Sequence, residues 1–403
     1  MTLLIDPPNS AGHGRLWSHL SSDSSFEEVH RFAQALGIPR RAFDRDHYDI
    51  PAERYDEVLA AGAAAVSSRE LISRLTGAGL RRRKAQVLRP RAPGRSLVRP
   101  PRLREGDRVA VVAPAGPVGA EALARGVDVL RSWGLQVDVG RHAVGRHEHL
   151  DYLSAADEDR AADLAHAWCD PEVRGVLCAR GGYGAQRIVD LLDWPALAEA
   201  GPKVLLGFSD VTALHQAFAA RLGLATVHGP GVITFGELPE GDESREHLRR
   251  MLLDPEATTS LTPEPIGPEH RLVPGSTEGV LVGGNLALLA AGAGTAHQQP
   301  AAGSVAMLED IGEAAYRLDR LLTQLLRSGW FDGVRGVALG GTGSVTPQTM
   351  REIALDRLGP LGVPMLSGLP FGHQRRNLSF PLGVVARLNA DRGTLVLREP
   401  ALA

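Results

Sequence analysis

Residues Lys203 to Arg221 read KVLLGFSDVTALHQAFAAR, and the periodicity changes halfway through. The apolar run Val204 to Leu206 gives way to Gly207, Phe208, Ser209 and Asp210, after which Val211, Leu214 and Phe218 recur at helical spacing. The pattern predicts a buried strand, a sharp turn with Ser209 at its apex, and a helix that begins at once. Such a turn lifts one hydroxyl clear of the main chain and sets helix N-terminal N–H groups beside it, where a developing anion is favoured. Ser209 is therefore a candidate nucleophile. A plainer role stands beside that one. Ser209 or Asp210 can simply cap the helix, and Gly-Phe-Ser-Asp-Val lacks the second glycine of a G-x-S-x-G elbow.

Working outward, the same alternation recurs. Apolar runs Val109 to Ala113, Val173 to Ala179 and Ala225 to Val227 alternate with the helix-spaced segments Ala120 to Trp133, Asp157 to Trp168 and Ala185 to Leu192. This reads as an α/β fold of βαβ units around a parallel sheet buried on both faces. Ligands of such sheets bind beyond the carboxyl ends of the strands. There the chain carries Pro114-Ala115-Gly116-Pro117, Arg180-Gly181-Gly182-Tyr183-Gly184 and the Ser209 turn. The glycine-rich loop has neither the Lys-Ser/Thr of a P-loop nor G-x-G-x-x-G spacing, but adjacent glycines let main-chain N–H groups approach a reacting carbonyl. A tight turn is the simpler alternative.

A second α/β unit follows a Pro/Thr-rich crossing. Its run Val305 to Leu308 ends in Glu309-Asp310 before a helix from Ala315 to Arg327, and Val363 to Leu369 ends in Pro370-Phe371-Gly372-His373. A serine, an acid and a histidine thus each stand where a strand becomes a loop. Their order is compatible with a triad, because geometry rather than order defines one. Asn285 reads as a turn residue, and His142, His147 and His149 as solvated loop histidines. Arg180, Arg317, Arg375 and Arg376 are the cations available to a substrate carboxylate.

The first 84 residues form a separate unit, dense in Asp6, His13, His19, Asp23, His30, Asp44, Asp46, His47 and Asp49. Histidine and carboxylate are ligands of divalent ions. No H-E-x-x-H or C-x-x-C regularity singles out a set, so structural or solvated roles are expected and no metal is assigned. Helices are expected over Phe26 to Leu36, Ala52 to Ala65 and Ser67 to Leu75, in a small α/β or mainly helical domain. The run Arg81 to Arg104, rich in Arg and Pro, reads as an extended, exposed linker.

Composition bounds the function. With 403 residues, 43% apolar and 23% charged, the chain has length for two or three domains. A formal charge of −3 gives no general attraction to nucleic acid or an anionic membrane. Cys169 and Cys178 have neither disulfide-framework nor metal-ligand spacing. The N-terminus lacks a signal-peptide pattern and no apolar run approaches eighteen residues, so a cytoplasmic protein is expected.

From about Leu103 to Val396 the chain resembles the LD-carboxypeptidase family of serine peptidases, which includes muramoyltetrapeptide carboxypeptidases and microcin C immunity peptidases. The blocks carrying the resemblance are VAVVAPAGPV, DEDRAADLAHAWCDPEVRGVLCARGGYGAQRIVDLLDW, KVLLGFSDVTALH, HGP, EGVLVGGNLALL, LEDIGEAAYRLDRLLTQL and LPFGHQRRNLSFPLG. The resemblance implies that Ser209 attacks, His373 acts as base and then acid, and Glu309 orients the imidazole. It further implies an oxyanion hole from the N–H groups of Gly182 and Asp210, with Arg180, Gly181 and Tyr183 touching substrate. It implies no cofactor, a small peptide (muropeptide) substrate and a homodimer. The expected layout is an accessory domain over 1–84, linker 85–104, a peptidase N-terminal domain 105–254 holding the nucleophile, a second linker 255–278, and a smaller C-terminal domain 279–400 holding Glu309 and His373. The accessory domain resembles a small bacterial family of unknown function, and ordinary members of the peptidase family lack it.

Overall fold

The computed structural model describes every residue except 1, 13, 45, 79, 81–93, 263–265 and 344, with main chain only at 11, 12, 41 and 44. His13, the Asp44 side chain and the basic run from Arg81 to Pro93 therefore lie outside the described residues. The chain divides into two compact units, Met1–Gln86 and Val87–Ala403.

The first unit is α/β. Its sheet runs β4 (Phe43–Asp44), β5 (His47–Pro51), β3 (Arg15–Ser22), β1 (Leu3–Ile5), β6 (Ala64–Ala65), with β2 (Ser10–Gly12) paired to β3. Side chains alternate across a strand. Leu20, Tyr48 and Ile50 thus enter a core with Ile5 and the helix residues Val29 and Ala33, while His19, His47 and Asp49 take the other face. Helices cover Phe26–Ala35 and Ser68–Gly77, capped by Ser25 and Ser67, whose side chains accept the Glu28 and Glu70 N–H groups. The helix expected over Ala52 to Ala65 is broken instead. A 3-10 turn at Ala52–Arg54 leads into a helix of only Tyr55–Ala60, and Gly62 at φ 111° turns the chain into β6.

The second unit holds two sheets. The first runs β17 (Phe380–Leu382), β11 (Thr226–His228), β10 (Val204–Gly207), β9 (Val173–Cys178), β7 (Arg108–Val112), β8 (Gln136–Val139), all parallel except β17. Because β8 and β9 flank β7, the winding reverses there and the loops after β7 and β9 splay apart, leaving the crevice where ligands of such sheets sit. The second sheet runs β12 (Arg271–Val273), β16 (Met365–Leu366), β15 (Gly336–Leu339), β14 (Ser304–Glu309), β13 (Ser276–Asn285), β18 (Val385–Asn389), β19 (Thr394–Leu397). One apolar cluster joins Val109, Val111 and Leu206 to Leu281, Val305, Met307, Phe371 and Phe380, so the two sheets share a core. Strand β17 adds a second tie, since it comes from the C-terminal part of the chain and closes the edge of the first sheet.

Two sequence expectations need correction here. The exposed linker does not continue to Arg104: Leu97 and Leu103 are buried, the Leu97 N–H donates to Gly383 O, and the Leu103 N–H donates to Leu252 O. Apolar leucines at these two positions are what the proline-rich composition concealed. The residues after Thr258 are likewise not a free crossing, because the Leu261 N–H donates to Leu395 O and the Leu395 N–H to Thr262 Oγ1.

Candidate active site

Strand β10 ends at Gly207, where a Cβ would lie 2.7 Å from Val211 Cγ1, so the turn can close tightly only on glycine. Phe208 is extended, and Ser209 then adopts φ 62°, the only positive φ at a non-glycine among the described residues. A residue held in that region costs of order 1–3 kcal/mol and persists only where surroundings impose it. The helix Thr212–Leu222 follows directly after a 3-10 turn, as the periodicity predicts.

Gly181 lies against the serine. A Cβ there would sit 2.8 Å from Ser209 Cβ and 3.1 Å from its Oγ, so the glycine-rich loop approaches the hydroxyl as no other residue could. The Gly181 carbonyl accepts the Gly116 N–H at 3.1 Å, joining the loops after β7 and β9. Gly182 adopts φ 108° and Gly184 φ 125°. Asp210 caps a helix, though not its own: its carboxylate accepts the Ala185 N–H at 2.7 Å, at the start of the helix after the loop. Burial pushes this carboxyl up to about 6, against that N–H and the nearby Arg160.

Arg160, which sequence reasoning passed over, is fully buried. It donates to the Ala155 carbonyl at 3.2 Å, to Gly184 O at 2.8 Å and to Pro114 O, and it pairs with Asp157. One guanidinium thus fixes both loops beside the serine. No periodicity signals a buried arginine.

On the second sheet, β14 delivers Glu309 at its last position, fully buried. His373 Nδ1 lies 2.6 Å from Glu309 Oε2. A carboxylate only accepts, so Nδ1 carries the proton and the lone pair is on Nε2. Gly372, at φ 87°, permits this contact, because a Cβ there would come 2.6 Å from Glu309 Cβ. The Asn377 side chain anchors the loop by accepting the Gly372 N–H at 2.9 Å. The two sheets meet where the Phe208 ring, next to Ser209, lies 4.8 Å from the His373 ring. Phe208, Ile311, His373, Gln374 and Arg375 line a cleft of about 330 Å³.

Other buried groups surround the pair. Asp310 accepts the N–H groups of Ala287 and Ile311, and burial together with the neighbouring Glu309 raises it to about 6. Asn285 donates its N–H to Thr212 Oγ1 at 2.9 Å and caps the helix Leu286–Ala291, joining the serine's helix to β13. His228 is fully buried, stacks on Phe380 at 4.4 Å, and places Nε2 4.0 Å from Glu309 Oε1.

The remaining sequence candidates fall at the rim or elsewhere. Arg180 is exposed and donates to Pro117 O at 3.1 Å, and exposed Tyr183 meets Tyr152 edge to face at 5.6 Å. Arg376 forms a two-pronged pair with Glu243, and Arg317 lies near Glu313 and Tyr316. Arg375 lines the cleft itself. His142 pairs with Asp163, and His147 Nδ1 accepts the N–H groups of His149 and Leu150, so these histidines organise their loop.

Residues 109–229 match the family described as LD-carboxypeptidase N-terminal domain and residues 278–388 its C-terminal domain, while residues 3–78 match a family described as protein of unknown function (DUF4031). A Streptomyces coelicolor protein provisionally named a carboxypeptidase is 54% identical over 310 residues, covering 76% of this chain and 98% of its own. The murein tetrapeptide carboxypeptidase of Pseudomonas aeruginosa is 36% identical over 300 residues, covering 71% and 94%. Among solved structures, the microcin C7 self immunity protein superposes with a TM-score of 0.68 at 25% identity, covering 76% of this chain and all of that one. The chain belongs to the LD-carboxypeptidase family.

Proposed function

We propose that the chain is a serine carboxypeptidase that hydrolyses the L,D-amide bond before a terminal D-Ala of muropeptides, in the cytoplasm, as a step in peptidoglycan recycling. The observation that carries this reading is the buried Glu309 holding His373 by its Nδ1, one phenylalanine away from a serine in a strained turn. In this mechanism His373 Nε2 takes the proton of Ser209 Oγ as that oxygen attacks the carbonyl carbon. The Glu309 carboxylate fixes the tautomer and stabilises the imidazolium that forms. The N–H groups of Asp210 and Gly182 receive the oxyanion. His373 then passes the proton to the leaving D-Ala nitrogen, and water, activated by the same imidazole, releases the acyl group. Arg180, Gly181 and Tyr183 shape the substrate side, and Arg375, which lines the cleft, meets the terminal carboxylate. The mechanism asks for no cofactor. We further propose a homodimer, which light scattering on the purified chain tests.

The deciding assay incubates the protein with L-Ala-γ-D-Glu-meso-diaminopimelate-D-Ala and with its terminal L-Ala epimer, followed by mass spectrometry. Inverting the last residue exchanges its methyl and carboxylate, leaving the cation of the cleft unpaired at roughly 2–5 kcal/mol. Release of D-Ala is expected at least about 10²-fold faster than release of L-Ala, at about 1.4 kcal/mol per tenfold. Equal rates on the two epimers would remove the assignment.

A second reading is favoured by one observation, the exposed Tyr152–Tyr183 pair at the glycine-rich loop. Paired rings offer a stacking surface for a nucleobase, which suits an immunity-type enzyme cleaving an amide in a peptidyl- or aminoacyl-nucleotide. Cleavage of an aminoacyl sulfamoyl adenosine, with the tetrapeptide untouched, would select it.

A further inference from the structure

The sheet of the first unit brings together side chains that its sequence scatters. In the β3–β5 ladder His19 stands directly opposite Asp49, and His47 lies two residues from Asp49 on the same face. One ring nitrogen of His19, one of His47 and an Asp49 oxygen all lie within 4.8 Å of one another. All three residues are part-exposed, whereas the carboxylates behind them are not. Asp6, buried just beyond β1, accepts His19 Nδ1 on Oδ2 at 2.9 Å and the His19 N–H on Oδ1 at 2.6 Å. Asp46, also buried, accepts His47 Nδ1 at 2.6 Å.

From this arrangement we infer that His19, His47 and Asp49 form a binding site for a divalent transition-metal ion, with Asp6 and Asp46 as the carboxylates that orient the two imidazoles. Two independent features carry it. First, each histidine has its Nδ1 proton committed to its own buried carboxylate, which leaves Nε2 as the donor and raises its basicity. Metal-ligating histidines almost always have that support. Here two so supported stand side by side with a third ligand, whereas His142, held the same way by Asp163, belongs to no such group of three among the described residues. Second, the spacing suits coordination. Ligands at about 2.0–2.1 Å in a tetrahedron are about 3.3 Å apart, and His47 Nε2 lies 3.3 Å from Asp49 Oδ1. The two rings meet edge to face at 4.7 Å. Two imidazoles and one carboxylate suit zinc and its neighbours rather than magnesium or calcium, which take oxygen ligands. Three protein ligands leave the fourth position open to water or a small ligand.

The surrounding sequence agrees with a built site. Leu20, Tyr48 and Ile50, the alternate residues of the same strands, are the core, so the sheet register that buries them also aligns the ligands. A slip of one residue would lose both together.

The test uses the full chain, dialysed against chelator and titrated with Co²⁺, whose visible absorption reports nitrogen and oxygen coordination, and then with Zn²⁺ in competition. One ion per chain is expected, with His142→Ala leaving the stoichiometry unchanged. Asp49→Asn, at a part-exposed position where folding should be unaffected, and His47→Gln should each weaken Co²⁺ binding at least about 100-fold. Asp6→Asn, which touches no ion, should weaken it about 10–100-fold. No Co²⁺ band in the folded wild-type chain, or a band unchanged in both Asp49→Asn and His47→Gln, would overturn the site.

Discussion

Ser209 sits at φ 62° in a turn that Gly207 below it and Gly181 beside it let close tightly, since a Cβ at either would collide with its neighbours. A backbone held in a region that costs of order 1–3 kcal/mol is what the proposed nucleophile role of Ser209 would account for. Replacing it separates the two. Ser209→Ala keeps the strain and removes the hydroxyl, so turnover should fall by several orders of magnitude to the roughly 10³–10⁴ over water that other groups supply. Ser209→Gly removes both, so it should be equally inactive yet melt at least as high as the alanine variant. Tetrapeptide hydrolysis and thermal unfolding of the pair check this, and an alanine variant of near-normal activity would dismiss Ser209 as nucleophile. Gly181→Ala probes the neighbouring surface. Its Cβ would fall 2.8 Å from Ser209 Cβ, so the loop must retreat. A displacement of about 1 Å costs about 10² in rate, and kcat should fall by that order with the Ser209 hydroxyl still present.

Elements, rather than single residues, hold the two loops in register. The loops after β7 and β9 meet through the Gly116–Gly181 hydrogen bond and through Arg160, whose guanidinium reaches a carbonyl on each. Asp157 keeps Arg187 as a partner, so what Arg160→Met removes is the donor to the carbonyls of Pro114 and Gly184. The variant should lose stability by about 3 kcal/mol, at roughly 1–3 kcal/mol for each buried acceptor left unsatisfied, and should lower kcat far more than it raises KM. A variant that loses stability with unchanged kcat would make Arg160 a packing residue only. At this scale much of the sequence was readable. The buried strands β7, β9 and β10 announce themselves as apolar runs, broken in β9 only by the exposed Arg174, and the helices Ala120–Ser132 and Asp157–Cys169 as amphipathic stripes. What escaped had physical causes. Strand β8 is largely exposed, so it carries no apolar signal, and β17 pairs with a strand some 150 residues earlier, which no local pattern encodes. Gly94 to Arg104 was hidden by its arginines and prolines, yet Leu103 is fully buried. The Arg102–Leu103 bond should consequently resist trypsin in the native chain, and early cleavage there, read by mass spectrometry, would contradict the packing.

Over the whole chain, the site candidates Ser209, Glu309 and His373 were legible because each ends an apolar run, whereas Arg160, Asp6 and Asp46 act from beneath others and carry no motif. The same is true of the buried histidines, and they set how the second unit responds to acid. Burial pushes His215 and His247 down to about 4 and holds His228 well below the usual imidazole range. Folded, these rings stay neutral, while unfolded they take up protons below about 6.5. Their contribution is thus complete above pH 6.5 and lost as pH falls toward 4. Asp210 and Asp310 work in the opposite sense. Burial raises both to about 6, so the folded state keeps protons that the unfolded state releases, and stability is lost as pH rises from about 3.8 through 6. Three histidines outweigh two carboxyls across the shared window, and above pH 6 the histidines act alone. From pH 7 to pH 4.5 the net loss is about 4 kcal/mol at about 1.4 kcal/mol per unit and group. Urea unfolding at pH 7, 5.5 and 4.5, followed by tryptophan fluorescence, reports chiefly on this unit, because Trp133, Trp168, Trp194 and Trp330 lie in it and only Trp17 outside. The midpoint should fall with acidification. His247→Leu, which replaces a buried ring whose nitrogens lack partners, should remove about two thirds of that net loss between pH 7 and 4.5, at about 1.4 kcal/mol per unit and group, while leaving stability at pH 7 equal or higher. A midpoint that rises between pH 7 and 5.5 would mean the carboxyls dominate and the histidines are not held neutral.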